Sequence, residues 1–420
     1  MISNISVPLL GAVDTAVMGR LPGAQYMGAV AVGALIFTIV YHGCNFLRMG
    51  TTGLTAQALG TRDMDAVGRW FTRPAVMALA IGIAMIALQT PLLWLALAVV
   101  EPSETVASLS SAYYTIRVWG APAALINFTI LGWFFGIQNA RAALATQVFM
   151  NGLNIVLDLW FVLGLGWGVE GVAWATLIAE ISAAVLGLYL VRRNIHRLGG
   201  HLWGPNMMDP ERLKRMFRVG GDIFVRGICV QTVFIIITSL GARLGDTVLA
   251  ANAVLLNFFL FSSYALDGFA NAVEALAGEA IGARDRERFR AAFRATSIWA
   301  GLFALGFTAV FVLFGALFID LMTLVPEVRA EARLYLAWAV VMPLVAVWSF
   351  QLDGVFIGST WTAEMRNGML ASTALFALMV FALLPVMGNH ALWASLNLWM
   401  IARAVTLAVF LPRLQRRIGL

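Results

Sequence analysis

An all-α membrane protein of twelve transmembrane helices, arranged as two pseudo-symmetric six-helix bundles, is the fold this sequence predicts, and three observations carry that prediction. Of its 420 residues, 61% are hydrophobic and 12% are charged, with a mean hydropathy of +0.85, whereas a soluble domain is about half apolar. The apolar residues fall into long runs separated by charged or turn-rich breaks. The second half of the chain also repeats the first.

A helix needs about 20 residues, at about 1.5 Å each, to cross the hydrocarbon core. Runs of that kind lie near 2–18, 27–49, 75–99, 111–137, 143–165 and 169–191, then near 219–240, 248–276, 295–322, 331–358, 367–388 and 391–412. They define a first lobe (1–191), a charged cytoplasmic linker (192–218) and a second lobe (219–420). The first run is the shortest and sits at the lower limit for a span, which predicts a truncated or misplaced start. Met1-Ile2-Ser3-Asn4 carries no basic leader, so this run reads as a retained span and not as a cleaved signal.

The loops set the orientation. Arg62, Arg69, Arg73, Arg141, Arg192, Arg193, Arg197, Arg212, Lys214, Arg215, Arg284, Arg286, Arg288, Arg416 and Arg417 collect on one side. By the positive-inside rule that side is cytoplasmic, with both termini and the linker. A multi-pass protein of a bacterial inner membrane is expected. The same bias accounts for the net charge of +6 without nucleic acid as a partner. Cys44 and Cys229 both lie in apolar runs and read as small core residues rather than a disulfide or metal ligands.

At an offset of 222 residues, Gly19-Arg-Leu-Pro-Gly23 falls on Gly241-Ala-Arg-Leu-Gly245, and Gly60-Thr-Arg-Asp63 on Gly282-Ala-Arg-Asp285. Phe37, Leu54, Ala58, Gly132 and Gly136 fall on Phe259, Leu276, Ala280, Gly354 and Gly358. An even number of spans per unit puts both copies in one orientation, related by an axis along the membrane normal, which is transporter architecture. Two matched bundles around a cleft can rock between outward and inward openings.

Particular stretches carry a family resemblance. Val7-Pro-Leu-Leu-Gly-Ala-Val-Asp-Thr-Ala-Val-Met-Gly19, Met49-Gly-Thr-Thr-Gly-Leu-Thr-Ala-Gln-Ala-Leu-Gly60 and Asn151-Gly-Leu-Asn-Ile-Val-Leu-Asp158 resemble the multidrug and toxic compound extrusion (MATE) family. Ala265-Leu-Asp-Gly-Phe-Ala-Asn-Ala-Val-Glu-Ala-Leu-Ala-Gly278, Leu352-Asp-Gly-Val-Phe-Ile-Gly358 and Glu364-Met-Arg-Asn367 resemble its DNA-damage-inducible protein F (DinF) branch. The resemblance runs from about Ile2 to the end of the last span. It implies a MOP-superfamily fold and secondary active efflux of cationic or amphipathic drugs or toxic metabolites. It also implies an inward flow of H+ or Na+ as the driving force, with no other cofactor, by a chain expected to act as a monomer in the lipid bilayer.

A charge near the bilayer centre costs about 2.5–3.5 kcal/mol on insertion scales, so every intramembrane charge is a functional candidate. Counted along the spans, Asp14, Asp158 and Thr176 share one depth in the outer half of the first lobe, and Asn154 lies one helical turn before Asp158. Two carboxylates at one level in a low dielectric repel each other, which suits a site that takes up a proton. The resemblance agrees, because it places the cation-coupling aspartate on the first helix, here Asp14, supported by Asn154, Asp158 and Thr176. The competing reading is that Asp14 only caps or kinks a short helix and Asp158 pairs with an arginine.

In the second lobe Asp267, Glu274 and Asp353 lie deeper toward the cytoplasm at the level of Arg226, which predicts an ion-pair site or a second ion site. Arg48 and Arg117 are expected to snorkel at span ends. One of Arg403 and Glu180, nearer mid-depth, is expected to line the cleft or pair across it, His42 to be hydrogen-bonded packing rather than a proton relay, and Tyr41 and Tyr113 to point into the cleft. Two other functions remain in view: a lipid-linked saccharide flippase, which would want a more cationic cavity, and a membrane-embedded enzyme. No HExxH, Gly-x-Ser-x-Gly or nucleotide-cradling loop supports the enzyme.

Overall fold

The computed structural model describes Val17, residues 23–204, Met207 and residues 209–418. The span expected near 2–18, with Asp14, lies outside the described residues. Within them the secondary structure is helical throughout, and eleven helices are long and apolar enough to cross a membrane, one for each of the other expected spans.

The first lobe is built from α1 (Ala24–Gly43), α2 (Phe46–Gly60), α3 (Met64–Ala87), α4 (Gln89–Val100), α5 (Glu104–Arg117), α6 (Ala121–Gly136), α7 (Ala140–Asp158) and α8 (Gly168–Arg197). A 3₁₀ turn, Val118–Gly120, joins α5 to α6, and a π-helical turn, Leu159–Gly164, continues α7. Helix α9 (Pro210–Arg243) leads into α10 (Asp246–Gly282), α11 (Arg286–Met322), α12 (Pro326–Gly358), α13 (Thr362–Met387), α14 (Asn389–Ala408) and α15 (Leu411–Arg417). The chain divides into two compact units, and the boundary falls between Gly220 and Gly221 within α9.

Several helices outrun the apolar runs that announced them. Helix α3 starts at Met64, so Arg69 and Arg73 are helical residues and not loop residues. Arg73 is buried, and its Nε donates to the Met207 carbonyl at 2.8 Å. Helix α8 runs through Arg192 and Arg193 to Arg197, and the described residues between it and α9 are non-helical. That stretch is tied along α3. Thr72 Oγ1 donates to the Leu202 carbonyl at 2.8 Å, and the His201 N–H donates to Asp65 Oδ1 at 3.1 Å. Once these carbonyls and arginine stems are satisfied inside the lobe, charge need not end a helix.

The repeat extends to the backbone. Asp63 caps α3 by accepting from the Ala66 N–H at 2.8 Å, and Asp285, 222 residues later, caps α11 by accepting from the Arg288 N–H at 2.8 Å. The left-handed residues pair at the same offset: Arg62 (φ 58°) with Arg284 (φ 55°), Gln138 (φ 59°) with Thr360 (φ 57°), and Gly166 (φ 71°) with Gly388 (φ 54°).

Helix crossings repeat as well. In the first lobe α2 packs on α6, and in the second the end of α10 packs on α12. A Cβ at Gly132 would sit 2.2 Å from the Arg48 carbonyl oxygen, and one at Gly354 would sit 2.5 Å from that of Ala270. At Gly136 the obstacles are Thr55 Cβ at 2.6 Å and the Thr52 carbonyl at 2.9 Å, and at Gly358 the nearest is the Glu274 carbonyl at 2.2 Å. Each glycine is needed where one helix backbone lies directly on another.

Candidate coupling site in the first lobe and a charge cluster in the second

In the first lobe α7 and α8 pack side by side. The last turn of α7 presents Asn154 and Asp158 on one face, as an i, i+4 pair must be. Asp158 is fully buried and Asn154 nearly so. A carboxylate only accepts hydrogen bonds, so the Asn154 amide turns its nitrogen to it. Nδ2 then lies 3.1 Å from Asp158 Oδ2, while Oδ1 accepts from Thr176 Oγ1 at 3.3 Å and from the Thr176 N–H at 3.2 Å. Three of the four residues singled out from sequence thus converge in one hydrogen-bonded cluster, and the fourth, Asp14, lies outside the described residues.

The π-helical turn begins at the residue after Asp158. Such turns are rare in α-helices and recur at functional sites, since they widen the backbone and free carbonyls at one level. Leu165 and Trp167 donate their N–H groups back into this turn, to the Trp160 and Phe161 carbonyls at 2.9 and 3.0 Å. The carboxylate is therefore anchored on the rigid side of an irregular stretch. Asp158 has the Asn154 amide as a hydrogen-bond partner, and Thr176 bonds that amide in turn.

A second polar group occupies the same lobe, and there one expectation is corrected. Arg117 does not snorkel. It is largely buried, and its Nη2 donates to Glu180 Oε1 at 3.0 Å. Glu180 sits one turn beyond Thr176 on α8, and the Asn127 amide donates to its backbone carbonyl at 2.9 Å. Tyr113 is buried and Tyr41 packs within the same lobe, where its ring meets Phe37 and Phe128. His42 is exposed, and its Nδ1 lies 2.8 Å from the Thr38 carbonyl one turn back, so the expected hydrogen bond is present at an exposed position. Arg48 bonds Asn45 Oδ1 through Nε at 3.2 Å.

The second lobe brings Asp353 on α12 together with Arg226 on α9, as an ion-pair reading expects. Arg226 Nη2 and Nε donate to Asp353 Oδ2 at 2.6 and 3.2 Å. Sequence reasoning missed the third member. Arg403 on α14 donates from Nη2 to the same oxygen at 2.5 Å, with 4% of its side chain exposed. Asp267 and Glu274 lie within electrostatic reach of Arg226, and Glu274 is buried. The mid-span position of Arg403 was legible; its partner was not, because 50 residues of chain separate them. Cys44 and Cys229 are buried free thiols in the two lobes.

Fold and polar interior together define a polytopic membrane transporter built from duplicated bundles. The chain belongs to the MatE family, whose model matches residues 1–160 and 223–384. It is 43% identical over 417 residues to DNA damage-inducible protein F of Escherichia coli strain K12, a match spanning 98% of this chain and 89% of that one. It is 26% identical to Protein DETOXIFICATION 44, chloroplastic, of Arabidopsis thaliana, over 95% of this chain and 77% of that one. It is 27% identical to "Probable multidrug resistance protein NorM" of Rhizobium meliloti, over 93% and 85%.

Among solved structures, MATE in complex with MaD3S superposes with a TM-score of 0.89 at 20% identity, covering 99% of this chain and 94% of that one. An outward-facing multidrug resistance MATE family transporter of the MOP superfamily gives 0.88 at 20% identity, with the same coverage. At these identities the structural likeness is one of fold. The MATE membership expected from sequence is thereby established, and the eleven spanning helices among the described residues make the protein a multi-pass membrane protein.

Proposed function

We propose that this protein is a secondary active exporter of cationic or amphipathic compounds, driven by inward H+ flow through the Asp14, Asn154, Asp158 and Thr176 site of the first lobe. The observation that carries the reading is the buried Asp158 hydrogen-bonded to the neutral Asn154 amide, which in turn bonds Thr176. Taking up a proton turns such a carboxylate from an acceptor into a donor as well, and the change alters which groups it bonds. Relatives named for multidrug resistance support the choice of cargo.

The second lobe supports protons over a sodium site there. Asp353 already accepts from two guanidinium groups on a single oxygen. A metal cation at that carboxylate would have to displace a charge-assisted bond at short range. Residues of that lobe are therefore read as structural in this function, and coupling is read as a property of the first lobe. An inner-membrane location with cytoplasmic termini goes with this reading, through the loop arginines.

Ethidium efflux from right-side-out vesicles under an imposed pH gradient tests it. Wild type is expected to expel ethidium with the gradient, to stop with protonophore, and to be indifferent to sodium. Asp14→Asn and Asp158→Asn are each expected to abolish gradient-driven efflux while the protein stays folded. Sodium-dependent efflux, or wild-type rates in both variants, would overturn the assignment.

A further inference from the structure

Apart from the Asp158 site, the first lobe holds a carboxylate whose cationic partner stands over aromatic faces. The Arg117 guanidinium carbon stands 4.6 Å from the Phe37 ring centroid and 5.9 Å from that of Tyr113, while its Nη2 is bonded to Glu180. Phe37 leans on Tyr41 and Tyr114, with centroids 5.7 and 5.3 Å apart, and Tyr41 meets Phe128 edge-on at 6.0 Å. A carboxylate together with the faces of Phe and Tyr is the chemistry that recognises a flat or quaternary organic cation.

Three buried acceptors around it have no hydrogen-bond partner among the described residues: Glu180 Oε2, Tyr41 OH and Asn127 Oδ1. Glu180 itself is 8% exposed. Beside Oε2 stands Gly120, where a Cβ would come within 2.8 Å of that oxygen. Glycine there keeps one side of the carboxylate approachable, and it does so in the 3₁₀ turn where α5 breaks from α6.

We propose that this cluster is an organic-cation site in which Arg117 stands in for the cargo. The proposal rests on the export reading above, and it names the group that recognises the exported cation. An incoming cation takes the place of the guanidinium on Glu180, and Arg117 returns when the cargo leaves. The carboxylate is then paired at every stage, which avoids the large cost of an uncompensated buried charge. Because Glu180 is one turn from Thr176, the exchange takes place one helical turn from the Asp158 cluster.

Equilibrium binding of tetraphenylphosphonium to the purified full-length protein, with no ion gradient, is the test, with neutral triphenylphosphine oxide as the control probe. Arg117→Met removes the competing guanidinium and is expected to tighten tetraphenylphosphonium binding by about tenfold, leaving the neutral probe unchanged. Unchanged or weaker cation binding by the folded variant overturns the site. Should Arg117→Met fail to fold, the double variant Arg117→Met with Glu180→Gln decides, since replacing both charges of a buried pair is usually tolerated.

That double variant is expected to lose the preference for the cation over the neutral probe by about tenfold, and wild-type preference in it overturns the proposal. These readouts need no transport. A wild type that fails to export ethidium sinks the export reading, whereas unaltered cation preference in the variants sinks this site alone.

Discussion

The two lobes share a backbone plan, yet the first interrupts its helices where the second keeps them whole. Between α1 and α2 the first lobe breaks at Cys44 and Asn45, while the equivalent residues, 222 further on, lie inside the unbroken α10. The break at Leu88 between α3 and α4 is absent from α11, the 3₁₀ turn Val118–Gly120 is absent from α12, and the π-helical turn after Asp158 is absent from α13. Only the last span reverses the pattern, with α8 continuous and α14 separated from α15.

Irregular backbone at membrane depth frees polar groups and is tolerated where protein or a polar site satisfies them. Two of the breaks adjoin the polar clusters: Arg117 precedes the 3₁₀ turn and Asp158 the π-helical turn. Charge diverges in the same way. Asn154, Asp158 and Thr176 have Phe376, Val380 and Leu398 as their counterparts, and Asp353 and Arg403 have Leu131 and Ile181. Duplication kept what helix crossing demands, the glycines and caps, and released the polar interior to differ. The contrast teaches that the first lobe concentrates irregular backbone beside its polar clusters while the second ties its helices together through Asp353 and two arginines, and the proposed function assigns the change of state to the first.

The largest expected effect tests that contrast directly. Asp353→Leu leaves two arginines facing one another in a buried site and should cost about 3–5 kcal/mol, read as a sharp fall in folded protein and in the unfolding temperature in detergent. Asp158→Asn keeps shape and hydrogen bonding and should cost about 1 kcal/mol, with its loss confined to gradient-driven efflux. If the two variants lose stability alike, the division of labour between the lobes is wrong.

A middle-sized effect probes what the lobes share. Gly132→Ala and Gly358→Ala each push a methyl onto a carbonyl oxygen 2.2 Å away, and each should destabilise by about 1–3 kcal/mol through forced backbone shifts. Equal drops in unfolding temperature would sharpen the duplication argument, and a drop in one lobe alone would break it.

The smallest effect has the opposite sign. Arg62→Gly and Arg284→Gly relieve a left-handed conformation that disfavours a side chain, and each should raise stability by at most about 1 kcal/mol, measured by the same unfolding assay. Destabilisation of either would show that its side chain, rather than its backbone, holds the turn.

Much of this was legible in the residues. Apolar run length located eleven of the expected spans because lipid demands both length and apolarity of any helix that crosses it. Asn154 and Asp158 could be placed on one face because helical spacing is local, and Thr176 could be placed at their depth because spans have a fixed rise. The ends of α3 and α8 were misjudged, since Arg73 and Arg192 look like loop residues until a carbonyl or a solvated helix end is seen to receive them.

The sequence by itself determined the membrane class, the duplicated halves, and which charges fall within apolar runs, because hydropathy and offset are properties of the chain alone. Only the tertiary structure decided which charges meet. Arg403 could have faced lipid headgroups, a cleft or Asp353, and Arg117 could have snorkelled or found Glu180, with identical local sequence in each case. A buried charge is stabilised by whichever partner the packing of distant helices delivers within hydrogen-bond range, and that delivery is a fact about helix crossings, not about neighbours in the chain.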